Sequence, residues 1–317
     1  MTIAIVILNW NGRQLLERFL PTVLTYAADA KVYVADNAST DSSVDFLRTH
    51  YPQVSVLQNP TNEGYAAGYN RALQQVQADV YCLLNSDVAV TEGWLSPVLK
   101  CFEDPQIAMV QSKILDYKRP THFEYAGAAG GYLDKYGFPY CRGRRLQHIE
   151  EDRGQYGEPS PCPIFWASGA CLFVRSSVFH ALGGFDADFF AHQEEIDLCW
   201  RAHHRGHKVV CCPQSVVYHV GGATLSATNP QKTYLNFRNS LLMLLKNLPA
   251  HCLYRRLFVR MLIDGAAGAY YLFTGKPRLT WAVLRAHFYF YRHFSKFKRK
   301  RPPYTIEDYY QRKSIFF

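Results

Sequence analysis

The sequence predicts an α/β protein, a doubly wound and mostly parallel sheet followed by a helical, basic and aromatic C-terminal extension. Three observations lead there. Short β-branched runs alternate with helical patterns from residue 2 to residue 84, and such alternation builds a parallel sheet with right-handed crossovers and helices on both faces. Polar residues gather where those runs end, at Asn9, at Asp36 and Asn37, and at Asn85 and Asp87. Charge is divided unevenly: within a net +9, residues 231–317 hold 17 Lys/Arg against three acids, and the preceding 230 residues hold 18 against 23.

Residues 2–8 (TIAIVIL) form a continuous apolar run, as in a strand buried on both faces. Asn9–Gly12 breaks the run, and residues 14–24 carry Leu15, Leu16, Phe19, Leu20 and Val23 at helical spacing. Strands are expected at 31–35, 54–57 and 80–84, with helices opening at Asp41-Ser42 and spanning 66–76. Residues 117–163 are looser, rich in Gly, Tyr and charge. Beyond them, 165–174 reads as a strand interrupted at Ser168-Gly169, 176–182 and 194–204 as helices, and 208–212 and 216–219 as two strands.

Composition narrows the class. With 48% hydrophobic and 19% charged residues the chain is globular rather than disordered or low in complexity. Nine cysteines, an odd number with no CxxC, argue against a disulfide scaffold or zinc ribbon; small buried hydrophobes in a reducing compartment are expected. The N-terminal apolar run is too short for a signal peptide or membrane span, which points to the cytosol.

Ligands of such sheets bind beyond the carboxyl ends of the strands. Neither GxGxxG nor a Walker sequence is present, so the usual loops that grip phosphate through backbone amides are missing, and a metal has to do that work. Asp87, at a strand end, suits a divalent cation on a diphosphate, although Asn-Ser-Asp is also good turn chemistry. His219 ends the apolar run SVVYH and is a metal ligand only if Asp87 lies near it; otherwise it is a structural histidine. Glu194, Glu195 and Asp197 open a helix. Asp197 pairs locally with Arg201 at i,i+4, which leaves Glu195, pointing away from Glu194, as the free carboxylate for a general base.

Taken together, these pieces closely resemble the inverting family 2 glycosyltransferases of GT-A fold, in particular the rhamnosyltransferase-like branch of bacterial polysaccharide assembly. The matching stretches are IVILNWNG, VADNASTDSS, NEGYAAGYN, LLNSDVAVTEGWL, SGACLFVR, GGFDADFF, EEIDLCWRAHHRGH, VVYHVGG and YLNFRN, in that order across residues 1–245. The resemblance implies a GT-A catalytic domain over 1–245, with a nucleotide-sugar half (1–115) and an acceptor half (116–245), and an amphipathic helical extension over 246–317.

What the resemblance implies for the site is specific. Asp36 contacts the nucleoside, and Asn9 and Asn62 line the same pocket. Asn85-Ser86-Asp87 stands in the place of the family's DxD, so Asp87 binds Mg2+ or Mn2+ on the diphosphate, whereas Asn85 is a neutral ligand or a donor to the sugar. His219 is the second metal ligand. Glu195, in the place of an aspartate, is the base, with Glu194 as its rival. Arg238 touches the diphosphate or the acceptor, or caps the fold. The implied chemistry is a single in-line displacement that inverts the anomeric centre, from a nucleoside-diphosphate sugar (dTDP-L-rhamnose first, a UDP-hexose next) to a glycan or lipid-linked glycan hydroxyl.

The tail interleaves aromatics with cations over 281–300, and its most apolar part, residues 257–273, is short and contains Arg260 and Asp264. It makes a poor span but fits the interface of an anionic leaflet, so peripheral attachment to the inner face of the cytoplasmic membrane is expected. The other reading packs these helices on the body or on a second copy, as a homodimer. Without a nucleic-acid motif, and with an acidic body, no nucleic-acid partner is expected. A sugar nucleotidyltransferase fits poorly because the first loop, Asn9-Trp10-Asn11-Gly12-Arg13, is not Gly-rich; an inactive scaffold is the remaining alternative.

Overall fold

A computed structural model gives the structure of residues 1–157, 160–221, 229–303, 305–312 and 314–315. Gly222, the last residue of VVYHVGG, lies outside them. The N-terminal half alternates as expected: β1 (Ile3–Asn9), α1 (Arg13–Thr25), β2 (Lys31–Asp36), α2 (Ser43–His50), β3 (Ser55–Gln58), α3 (Gly64–Leu73) and β4 (Val80–Asn85). The period of two along β1 divides its side chains between two cores. Ile3, Ile5 and Ile7 pack with Leu16, Leu20 and Val23 of α1, and Ala4 and Val6 pack with Tyr69 and Ala72 of α3. Both faces are covered, which is why the run is apolar without alternation.

β1 is parallel to β2 on one side and to β4 on the other, and β3 continues beyond β2. The direction of winding reverses between β1 and β4, so the crevice at such a switch point opens beside Asn9 and Asn85. The chain continues through β5 (Val88–Val90), α4 (Leu95–Cys101) and β6 (Ile107–Asp116). β6 is a long inner strand for which the sequence pattern predicts nothing. Its apolar run is broken by Gln111 and Ser112, both fully buried and paired inside the protein: Gln111 Nε2 donates to Gly127 O at 3.1 Å, and Ser112 and Ser215 hydroxyls meet at 2.7 Å.

The loose stretch holds a small antiparallel sheet of β7 (Gly131–Leu133), β8 (Pro139–Cys141), β9 (Arg144–Arg145) and β10 (His148–Ile149). β11 (Cys162–Pro163) follows, then β12 (Cys171–Arg175), α5 (Ser176–Ala181) and α6 (Glu194–His204). The strand expected at 165–174 begins only at Cys171, because Ser168–Ala170 turns toward the end of β4, where Asn85 N donates to Ala170 O. β12 is antiparallel and lies between β4 and β6. β13 (Lys208–His219) is one strand where two are expected: a register shift between Cys212 and Val216 absorbs Pro213.

Three helices close the chain, α7 (Pro230–Asn247), α8 (Leu253–Phe273) and α9 (Pro277–Lys298). The expected domain boundary at 245 falls inside α7, whose Leu241–Leu245 run is fully buried in the main core. The end of the chain returns to the body. Tyr309 stacks on Trp200 with centroids 4.8 Å apart, and Ile315 N donates to Asp134 Oδ2. All nine cysteines are buried.

Candidate active site

The sheet brings the expected residues to one edge. In register, Asn9 of β1 stands opposite Asp36 of β2, and Leu8 opposite Asn85 of β4. Asn9 Nδ2 donates to Asp36 Oδ1 at 3.1 Å, and Asp36 also accepts from the Ser39 amide at 2.9 Å and the Ser39 hydroxyl at 2.6 Å. Asp36 is therefore buried at the floor, shaping the 36–41 loop. Asn9 is also buried, and its Oδ1 has no hydrogen-bond partner among the described residues; a buried polar atom left so is a place for a ligand to bond. Asn62 Oδ1 accepts from Asn37 Nδ2 and from the Gly64 amide, each at 3.0 Å, which joins it to the same rim.

Asp87 and His219 meet because β5 pairs antiparallel with the end of β13. His219 Nε2 lies 3.1 Å from Asp87 Oδ1 and 3.5 Å from Asn85 Nδ2. Adjacent ligand atoms on an octahedral cation with bonds of about 2.1 Å stand about 3.0 Å apart, so this carboxylate oxygen and imidazole nitrogen fit one Mg2+ or Mn2+. Among the described residues no group of three or more His, Cys, Asp or Glu could hold an ion.

Behind His219 is a residue that the sequence pattern does not reveal. Glu124 is buried, its Oε1 lies 3.4 Å from His219 Nδ1, and its Oε2 accepts from the Ala126 amide at 2.6 Å. It arrives because the chain leaves β6 at Asp116 and doubles back, the Glu124 amide donating to Ile114 O. A carboxylate behind a ligand histidine fixes the ring and raises its basicity. Burial opposes a charged His219, but Asp87 and Glu124 outweigh it and push the imidazole pKa up to about 10; the field that favours a proton there also favours a cation.

Glu194 and Glu195 open α6 after a strained loop. Phe190, His192 and Gln193 all have left-handed backbones, with φ of 65°, 71° and 73°, a conformation that costs energy in non-glycine residues and gathers at functional sites. Gly64 lets this loop close on α3: its φ is +85°, and a Cβ there would come within 2.4 Å of Phe190 O. Both glutamates keep a buried Oε2 without a hydrogen-bond partner among the described residues. Burial pushes the Glu195 carboxyl up to about 7. It pushes Glu194 well above the ordinary value, with the Glu195 charge adding to the effect. Both carboxyls are thus held above the ordinary glutamate range. Asp197 is held ionised: burial works against it, and Lys246, at 2.9 Å, and Arg201, at 2.8 Å, outweigh that cost.

Arg238 does not reach an open site. Its guanidinium donates to Asp188 O at 3.0 Å, Phe189 O at 2.7 Å and Asn239 Oδ1 at 2.8 Å, and lies against the Tyr234 and Tyr289 rings. Asn239 Nδ2 donates to the carbonyls of Phe189, Ala191 and His192. The pair clamps the strained loop from α7, adding side-chain donors to carbonyls that lie outside the sheet and the α-helices. In this arrangement Arg238 holds the loop, the capping contact expected of it.

With a carboxylate–imidazole pair at the switch point and two raised carboxyls on α6, the comparisons with known proteins become decisive. A family described as Glycosyltransferase like family 2 matches residues 2–234. The chain belongs to this glycosyltransferase family. Among the family's curated members it is 29% identical over 235 residues to the N-acetylglucosaminyl-diphospho-decaprenol L-rhamnosyltransferase of Mycobacterium tuberculosis, a match covering 68% of this chain and 75% of that protein. It is also 29% identical over 204 residues to the pre-mycofactocin glycosyltransferase of the same species, covering 63% of this chain and 39% of that one. In fold it is similar to GalNAc-T7 with UDP, GalNAc and Mn2+ (TM-score 0.61, 16% identity, 79% of this chain and 48% of that one). It is similar too to a mannosyltransferase of Pyrobaculum calidifontis with GDP-Man and Mn2+ (TM-score 0.55, 13% identity, 90% and 86%). The fold of this family 2 enzyme is GT-A.

Proposed function

We propose that this glycosyltransferase is metal-dependent and inverting, moving a sugar from a nucleoside-diphosphate donor, dTDP-L-rhamnose first among them, to a hydroxyl of a glycan or lipid-linked glycan in cell-surface polysaccharide assembly at the cytoplasmic face of the membrane. The observation that carries the reading is the approach of Asp87 and His219 at the crevice between β1 and β4.

In this reading Asp87 and His219 would hold Mg2+ or Mn2+, which would supply positive charge against the diphosphate leaving group. Asn9, Asp36 and Asn62 line the nucleoside pocket, and Asn85 donates to the diphosphate or the sugar. Glu195 takes the proton of the acceptor hydroxyl as that oxygen attacks the anomeric carbon opposite the leaving group; Glu194 keeps its proton and stays neutral beside it. One displacement inverts the centre and needs no covalent nucleophile. Arg238 and Asn239 act earlier, by holding the loop that aims Glu195. The resemblance to a rhamnosyltransferase over two thirds of the chain supports the donor. A UDP-hexose is the second donor, supported by the UDP-bound GalNAc-T7 and by the similarity to Staphylococcus aureus TarS with UDP-GlcNAc.

The test is release of nucleoside diphosphate from a panel of nucleotide sugars with Mn2+ present, followed by NMR of the product's anomeric configuration. Turnover of dTDP-rhamnose with inversion is expected. Turnover of a UDP-hexose alone moves the donor to the second reading, and turnover of none, in a folded protein, returns the inactive scaffold.

A further inference from the structure

The hairpin of α8 and α9 leaves large apolar side chains in solvent. Among the described residues, 10 of the 15 exposed large hydrophobics lie between Tyr254 and Tyr291. On α8 they follow the helical repeat through Tyr254, Phe258, Leu262 and Phe273, the last 87% exposed. On α9 they fall at Trp281, Leu284, Phe288 and Tyr291. The two stripes adjoin along the hairpin: Lys298 Nζ lies 5.9 Å from the Tyr254 ring centre, and the Tyr291 hydroxyl donates to Met261 Sδ at 3.2 Å. The other side of each helix is packed, through Leu257 and Gly268 of α8 and Ala282, Ala286 and Phe290 of α9. The outer side of each helix thus exposes an apolar, largely aromatic stripe.

Its charge has one sign. α9 carries five Lys/Arg and no acid. The single acid of α8, Asp264, is buried and paired with Arg260 at 2.8 Å. Arg285 and Arg292 are exposed beside the aromatic stripe. Where the stripe of α9 begins, Arg278, Trp281 and Arg285 line an open, mainly apolar cleft against Pro230, with the Arg285 guanidinium resting on the Tyr234 ring at 4.7 Å. Two copies pressed face to face would bring these cations together, whereas an anionic leaflet matches them. Trp, Tyr and Arg interleaved on one helical face suit the headgroup level of a bilayer. No helix in the described residues is long and apolar enough to cross a membrane, so the contact is in the plane of the surface.

We propose that this face docks on an anionic lipid bilayer, the hairpin lying flat with its cations among lipid phosphates. The proposal deepens the reading above, in which the acceptor is carried on a lipid, and rests on it only for what docking serves. The experiment is co-sedimentation of the full chain with phosphatidylcholine vesicles, with and without phosphatidylglycerol. Wild type is expected on the phosphatidylglycerol vesicles alone, with binding that weakens as salt rises. Arg285→Gln with Arg292→Gln should weaken it about five-fold per cation, and Trp281→Ser with Phe288→Ser should abolish it. These side chains are exposed, so melting temperature and dTDP binding stay unchanged in both variants. Equal binding to neutral vesicles, or variants that bind as wild type does, would overturn the proposal. A dimer that Trp281→Ser splits, with vesicles left unbound, would give the face to a second copy instead. Loss of nucleotide binding with vesicle binding intact would overturn the transferase reading and leave this one standing.

Discussion

His219 Nε2 lies 3.1 Å from Asp87 Oδ1 although 132 residues of chain separate them. The juxtaposition depends on strand register: His219 stands opposite Val88, one residue past Asp87, and Val220 N donates to Asp87 O at 3.1 Å. A slip of one residue would turn the imidazole to the other face. If the two hold one cation, either alanine substitution removes a charge-assisted contact. Asp87→Ala and His219→Ala should each weaken Mn2+-dependent nucleotide binding by on the order of 100-fold, measured by calorimetry, while nucleotide binding without metal stays at its low level.

Glu124 gives a separable expectation. Glu124→Gln preserves shape and burial but removes the charge behind His219 Nδ1, 3.4 Å away. Mn2+ affinity, followed by electron paramagnetic resonance of the free ion, should fall about 10- to 100-fold. A change in melting temperature with unchanged Mn2+ affinity would show that the residue only supports the fold.

The pH profile follows from Glu195. A base must be ionised to accept a proton, and burial pushes this carboxyl up to about 7, so kcat/KM should rise with pH through about 7 and level off above it. Glu195→Gln should lower turnover about 100- to 10,000-fold. Stability runs the opposite way. A raised carboxyl pKa contributes stability below the ordinary value, and that contribution is lost as pH rises through about 7. Glu195→Gln should therefore melt higher relative to wild type at pH 8 than at pH 5. Melting curves at the two pH values check the sign.

Arg238 separates folding from ligand contact. Arg238→Ala leaves the carbonyls of Asp188 and Phe189 without this donor and should cost about 1–3 kcal/mol, read as a lower midpoint in urea. Because the loop it holds leads into α6 and Glu195, kcat should fall while the Kd for Mn2+-dTDP stays near wild type. A large rise in that Kd would restore Arg238 as a ligand.

Much of the fold is legible where one signal dominates. The double burial of β1 is written in its unbroken apolar run, and Asn9, Asp36, Asn85 and Asp87 stand at strand ends that the alternation alone locates. β6 is missed because Gln111 and Ser112 interrupt it, and only the folded chain supplies their partners. Glu124 is missed for a different reason. Its role is set by a turn out of β6 that brings it to a histidine far along the chain, and no local spacing encodes that. Arg238 stays open between ligand and loop in the sequence because a cation beside a catalytic loop can serve either, and the carbonyls it bonds lie 49 and 50 residues away. The raised carboxyls of Glu194 and Glu195 come from burial, which a helical wheel does not contain.

The most direct test is calorimetry of dTDP and UDP binding, with and without Mn2+, on wild type and Asp87→Ala. Tight binding of at least one nucleotide, requiring Mn2+ and lost in Asp87→Ala, is the expected result. A folded wild type that binds neither nucleotide, or binds one equally well without metal and with Asp87 replaced, would contradict it.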